Sequence, residues 1–264
     1  MKRIRLIALC AILSLLVSAA CSTTGRQPAA DQFADPSREN LLEQDNEQAL
    51  DLTLSHDPAA MSGNQYASEL VGDIINFGGN DWIVLDIQDG RALILSEKLI
   101  THRPYHETFE DVTWAASDTR RWLNDSYYNS FSSSDRELIA ETTLTNEDNQ
   151  WFGTAGGGPT TDRIFLLSLD EVVKYFGDSG QLQNRPSEDT WYILDGYNDA
   201  RKATCAIDKC VVCANESSWY WGLRSPGWLQ NCAAGISLDG RLCVDGGSVS
   251  FERPGIRPAM WLKL

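Results

Sequence analysis

Histidine is scarce in this chain: His56, His102 and His106 are the three it carries. A nucleophilic serine or cysteine needs a base within hydrogen-bond reach, so few arrangements for acyl transfer remain open. Pro104 argues against the helix that would bring His102 and His106 to one metal, and two histidines alone are an incomplete ligand set. No metal and no cofactor is expected, and this segment reads as a solvated loop together with Glu107, Glu110 and Asp111. Positive charge is short as well. Lys and Arg number 22 against 37 Asp and Glu, a net charge of -15. A surface that acidic repels phosphate backbones, which excludes nucleic acid as an expected partner. Long apolar runs are absent too: Leu6 to Val17 is about a dozen residues, short of the roughly 20 that span a bilayer. The stretch Gly153-Thr154-Ala155-Gly156-Gly157-Gly158-Pro159 lacks the Lys-Ser/Thr ending of a phosphate-binding loop and is read as a flexible surface loop.

What is present begins with an export signal over residues 1–20. Lys2, Arg3 and Arg5 precede the apolar run, and Ser18-Ala19-Ala20 follows it. Cys21 directly after these small residues resembles a bacterial lipobox, with Ser18 standing where leucine is usual. Cys21 is then the lipidated first residue of an extracytoplasmic protein, held to the cell-envelope membrane through its acyl chains. The alternative is ordinary secretion with Cys21 left as a thiol. Removing Lys2, Arg3 and Arg5 leaves 19 minus 37, or -18. Residues 21–68 are polar and free of tryptophan, a composition that does not offset its own ordering entropy, and are read as an acidic tether. Within it, Ser37 caps a short helix through Leu41 and Leu42.

Residues 69–264 are long enough for one substantial core. Asp73–Phe77, Asp81–Ile87 and Arg91–Ser96 are short β-branched runs separated by Gly78-Gly79 and Asp89-Gly90, which predicts an antiparallel meander. Ser117 is placed as the cap of a helix carrying Arg121, Trp122 and Leu123. Ser134 with Glu137 and Ser168 with Glu171 each read as a capping box, and Gly177 ends the second of these helices. A strand is expected at Ile164–Leu167. Strands, then helices, then strands again define an α+β domain of antiparallel sheets with a few short helices.

The run from Trp219 to Trp261 holds four of the nine tryptophans. Arg224 and Arg257 sit there beside proline and apolar residues, positions that suit a structural clamp tying loop carbonyls to a carboxylate; substrate recognition is the alternative. Tyr220, Trp228, Gln230, Asn231 and Asp245 form the candidate ligand-binding edge, since aromatic faces beside amides and carboxylates suit sugar rings or peptide side chains. Cys205, Cys210, Cys213 and Cys232 are disulfide candidates in an exported protein, and the Cys-x4-Cys-x2-Cys spacing leaves zinc as a second reading. Cys243 is the expected buried leftover. A two-residue turn at Asp239-Gly240 places Ile236 opposite Cys243 and Cys232 opposite Gly247. The two thiols are then about 13 Å apart, beyond the reach of about 7 Å for a bridge.

Leu95-Ser96-Glu97-Lys98, Thr113-Trp114 with Ser117, Arg121-Trp122-Leu123-Asn124, Phe165–Ser168, Leu223–Gly227 and Gly255–Ala259 resemble, in order, the signature blocks of an uncharacterised bacterial family, domain of unknown function six-two-seven-three. Gly222 stands where that family commonly has a second tryptophan, and the cysteine-rich insert at 205–213 is outside its pattern. The family's general look is similar to C-type-lectin-like folds, including the relatives of formylglycine-generating enzymes. The resemblance implies a lectin-like domain that binds a carbohydrate or protein ligand without catalysis. No Glu-Pro-Asn or Gln-Pro-Asp motif appears, so calcium-dependent sugar binding is not expected. An extracytoplasmic enzyme or enzyme accessory acting on cell-envelope material is the alternative, and a structural envelope protein a third.

Overall fold

The computed structural model describes residues 66, 68, 70–205 and 218–264. The expected signal segment, Cys10, Cys21, the helix after Ser37, His56, Cys210 and Cys213 lie outside the described residues. Those described belong to one compact unit.

The meander forms strand for strand. β1 (Ile74–Phe77), β2 (Asn80–Gln88) and β3 (Arg91–Ser96) run antiparallel. Gly78 and Gly79 have φ of 56° and 79°, and Asp89 and Gly90 have 52° and 68°, the left-handed pairs that two-residue hairpins require. At Gly78 a Cβ would also run into the Phe131 ring. The final strand, β12 (Ala259–Lys263), pairs with β3 and completes a four-stranded sheet in the order β1-β2-β3-β12. Its return buries Met260 and Leu262 with Trp82, Leu93 and Leu95. Each such side chain contributes about 1.5–3 kcal/mol on leaving water. Tyr66, on the tether side of the expected boundary, joins this core: its ring meets Phe77 edge-on at 6.0 Å and its hydroxyl donates to Asn76 O at 2.9 Å.

Three helices have their caps in or near the expected places. α1 (Asp118–Trp122) starts on Ser117, whose Oγ accepts from Arg120 N. α2 (Ser133–Leu138) begins earlier than expected, because Ser132, not Ser134, accepts from Asp135 N at 3.1 Å. Ser134 is therefore already inside the helix and is not its cap, so the Ser134–Glu137 box does not form. α3 (Leu169–Phe176) carries the complete Ser168–Glu171 box and stops at Gly177, φ 114°. Ile164–Leu167 is not a strand of any sheet. Phe165 makes one bridge to Ala259, and Leu167 O accepts from Arg224 N at 2.9 Å, which takes the backbone out of further pairing.

The remaining strands are the pair β5 (Thr142–Leu144) and β6 (Thr160–Asp162), and a six-stranded sheet. That sheet contains β4 (Thr101–His102), β7 (Tyr192–Ile193), β8 (Trp221–Pro226), β9 (Cys232–Ile236), β10 (Leu242–Ser248) and β11 (Gly255–Ile256) in the order β4-β11-β8-β9-β10-β7. Among the described strand pairings only β11–β8 is parallel, and with the short α4 (Asn198–Arg201) the architecture is α+β. The β9–β10 turn differs from expectation. Ser237 N donates to Arg241 O at 3.0 Å and Gly240 has φ 83°, so three residues form the loop instead of two. Ile236 therefore faces Leu242, and a bulge beyond Cys243 sets Cys232 opposite Ser248. Cys243 faces Gly235, three residues along β9 from Cys232, or about 10 Å of strand. No helix among the described residues is long and apolar enough to cross a membrane.

Candidate functional site

The two arginines expected to form a clamp, Arg224 and Arg257, are both buried, at 4% and 2% exposure. Arg224 forks onto Glu171, with NH2 3.0 Å from Oε1 and NH1 on Oε2, and NH1 also donates to Leu166 O at 2.9 Å. Arg257 donates through Nε to Ser96 O at 2.9 Å and through NH2 to Glu97 O at 3.3 Å. Its guanidinium lies 5.1 Å from the Trp221 ring and 5.6 Å from Phe176, and burial pulls its pKa down to about 10. Both side chains tie distant backbone segments together.

The accessible chemistry lies beside them, on the turn between β8 and β9. Gly227 N donates to Cys232 O and Cys232 N to Leu229 O, a tight turn that pushes Trp228 and Leu229 outward, each 44% exposed. Asp245, on the neighbouring β10, uses both of its main-chain groups here: its O accepts from Trp228 N at 2.8 Å and its N donates to Trp191 O at 3.1 Å. One residue thereby stations two indoles side by side. Trp191, 40% exposed, meets Trp228 edge-to-face with ring centres 5.8 Å apart. Phe152 stacks on Trp191 at 5.6 Å, and the Arg185 guanidinium lies 4.5 Å from Phe152, 5.2 Å from Trp151 and 5.9 Å from Trp191. Arg185 itself is held by the carbonyls of Glu188 and Thr190, both at 2.7 Å from NH2.

Asn149 fixes the far end of this row. It is 1% exposed; Nδ2 donates to Pro226 O and Val244 O at 2.8 Å each, while Oδ1 accepts from Trp151 N and Phe152 N. The glycine-rich stretch that follows lies at the surface as expected, with Gly156 buried and its base tied down. Asn149 N donates to Thr154 O, Gly156 N to Asp148 Oδ1, and a Cβ at Gly156 would run into Asn146 O.

Of the five residues expected to bind ligand, Trp228 is exposed and Asp245 is joined to it through the backbone. Burial raises the Asp245 carboxyl pKa to about 6. Tyr220 turns away. Its ring covers Gly235, where any Cβ would strike the phenol, and burial raises its pKa well above the ordinary value. Gln230 ties two loops, Nε2 donating to Val112 O at 3.1 Å and Ala155 O at 3.0 Å. Asn231 holds the Val249 amide through its backbone O at 3.0 Å. Cys232 is half-buried with its thiol pKa raised by burial, and Cys243, expected to be buried, is half-buried too. Cys205 Sγ lies 3.6 Å from His102 Nε2.

The histidines correct the expectation of a solvated loop. His102 belongs to β4, and burial lowers its pKa. His106 is only 14% exposed, with Nδ1 2.8 Å from Asp118 Oδ2 and Nε2 2.8 Å from Glu110 Oε1. Both ring nitrogens thus face carboxylates, and Glu110, which lies on a solvated face as expected, is one of the two. Asp118 Oδ2 also accepts from Glu107 N at 2.9 Å and Oδ1 takes Arg121, so this cluster anchors a loop on α1. Sequence reasoning missed Trp191, Phe152, Arg185 and Asn149. The one local signal was Trp191 following the polar run Pro186-Ser187-Glu188-Asp189-Thr190, where a large ring has no neighbour to bury it.

Fold and site define a small α+β domain with an aromatic, arginine-backed surface on one sheet end. A family model described as Domain of unknown function (DUF6273) matches residues 89–264, and the chain belongs to that family. No curated protein and no solved structure matches it.

Proposed function

We propose that this chain is an extracytoplasmic lipoprotein, anchored in the cell-envelope membrane by acyl chains on Cys21, whose lectin-like domain binds a carbohydrate without catalysing a reaction. The observation that carries the reading is the pair Trp191 and Trp228, edge-to-face at 5.8 Å and each about two-fifths exposed. Indoles are costly to leave in water, and two held rigidly at an angle offer flat apolar faces that suit the C–H faces of sugar rings. The Asp245 carboxylate supplies a nearby hydroxyl acceptor, and Arg185 stiffens the row from behind. The basic, apolar and small-residue grammar of residues 1–21 supports the anchor.

The test is a glycan array probed with the purified chain in the presence of chelator. Binding should survive chelation and fall at least tenfold in Trp228→Ala, a loss of about 1.4 kcal/mol or more. Unaltered binding by Trp228→Ala would overturn the site, and protein pull-down without glycan binding would replace sugar by a protein ligand. Palmitate labelling that disappears in Cys21→Ala tests the anchor independently.

A further inference from the structure

A second charged site lies where the end of α2 meets the end of β12. Ile139 bridges Leu262 and Ala140 N donates to Trp261 O at 2.7 Å, which brings Lys263 beside the helix; there Nζ donates to Glu137 O at 2.8 Å. Arg163 arrives from the chain just after β6, its backbone N fixed on Asn124 Oδ1 at 2.7 Å. Lys263, Arg163 and Arg136 border a depression of about 440 Å³, with Tyr128, Glu137 and Glu141 in its wall. The Tyr128 ring orients both forks, Arg163 Cζ lying 5.1 Å and Arg136 Cζ 5.9 Å from its centre. The two guanidinium groups are only partly answered. Arg163 NH2 is 3.2 Å from Glu141 Oε2, but those side chains are 39% and 57% exposed, and exposed pairs contribute about 0–1 kcal/mol. Arg136 NH1 reaches the neutral Asn129 Oδ1, while its buried Nε has no hydrogen-bond partner among the described residues.

We infer that this depression binds a phosphoryl group. Three cations against two carboxylates make a local positive excess on a chain whose net charge is -15. The cations reach this depression from three separate parts of the chain, which suits a tetrahedral oxyanion with three acceptor oxygens better than a two-oxygen carboxylate. Guanidinium forks engage phosphate bidentately and lysine adds a point charge. The weak Arg163–Glu141 pair is the contact such a ligand displaces. The phosphoryl group is either free phosphate or a phospholipid headgroup, and the chemistry is the same. The site shares no lining residue with the Trp191–Trp228 row and does not rest on the carbohydrate reading.

The experiment titrates the full chain with inorganic phosphate by calorimetry and, separately, measures its sedimentation with phosphatidylcholine vesicles with and without phosphatidylglycerol. Arg163→Gln and Lys263→Gln alter exposed side chains, and an unchanged melting temperature verifies their folding. Expected is saturable phosphate binding that weakens about tenfold in Arg163→Gln and further in the double variant, as loss of a charge-assisted contact requires. Retention that depends on phosphatidylglycerol and falls in the variants assigns the headgroup; phosphate binding without that dependence assigns the free ion. An acyl anchor is common to wild type and variants and cancels from the comparison. Absence of both responses in the wild type, or both responses unchanged in the double variant, overturns the site. Trp228→Ala should leave phosphate binding intact, so this site and the carbohydrate site fail separately.

Discussion

Glu171 is shared between a helix cap and an arginine: Oε2 accepts from Ser168 N at 2.8 Å, and the same carboxylate forks onto Arg224, NH2 to Oε1 at 3.0 Å. The N-terminus of α3 is thereby locked to β8, and Ser225 Oγ reinforces the joint by accepting from Leu169 N at 3.0 Å. Removing one partner of a buried pair leaves the other charge uncompensated, at a cost of about 3–5 kcal/mol. Glu171 is partly exposed, so Glu171→Gln should cost about 2–3 kcal/mol in urea unfolding, and Arg224→Ala more. A loss below about 1 kcal/mol would mean that Arg224 is held by carbonyls alone.

Asn149 predicts a coupled effect on stability and binding. Asn149→Asp keeps the acceptor for Trp151 N and Phe152 N but cannot donate to Pro226 O and Val244 O. It also sets a charge against two carbonyls in a site 1% exposed. The expected loss is about 3 kcal/mol or more. Glycan binding should weaken as well, because Phe152 no longer stacks in place under Trp191. Asn149→Asp with full stability would show that the loop is held from elsewhere.

Asp245 gives the domain a pH dependence. Burial raises its carboxyl pKa from 3.8 to about 6, so the folded state holds this proton where the unfolded chain has released it. Stability from this group is complete below about pH 4 and is lost as pH rises through about 6. Two pKa units correspond to about 3 kcal/mol, and residual solvent contact reduces the expected loss to about 1–2 kcal/mol. Asp245→Asn removes the penalty. It should match the wild type at pH 4 and exceed it by about 1–2 kcal/mol at pH 7 in denaturant melts. A variant less stable than wild type at pH 7 would contradict the sign.

The parts legible in the sequence are those that local chemistry decides. Asp89-Gly90 specifies its hairpin because few residues tolerate φ of 52° and 68° in succession, and Ser168 reaches a donor only three residues away. The register of β9 and β10 was misread because a three-residue loop and a two-residue turn use the same Asp-Gly letters, and a one-residue slip moves every partner. Contacts of large sequence separation carried no local mark. Trp114 Nε1 donates to Asp162 Oδ2 at 2.9 Å, Arg120 Nε to Asp162 Oδ1 at 2.6 Å, and Arg224 NH2 to Glu171 Oε1 at 3.0 Å, yet nothing in these sequences says which acid meets which base. The same holds for the site. Trp228 is recognisable as an indole in a Pro-Gly turn, whereas Trp191 and Phe152 reach it only through the backbone of Asp245 and the side chain of Asn149.

The carboxyl-terminal return supplies the most severe test of the architecture. Deleting residues 253–264 removes β12 from the edge of β3, takes Met260 and Leu262 out of a core where both are fully buried, and strips Arg257 from between Trp221 and Phe176. It also deletes β11, which joins β4 to β8. Loss of two large buried side chains alone is worth roughly 4–10 kcal/mol, comparable to the whole stability of an ordinary domain. The truncated chain should therefore show no cooperative thermal transition and should bind a hydrophobic dye at room temperature. The single substitution Leu262→Ala is milder, about 2–5 kcal/mol. It should keep a cooperative but lower melt, so that a collapse of both proteins alike would point to general fragility and not to the closing strand.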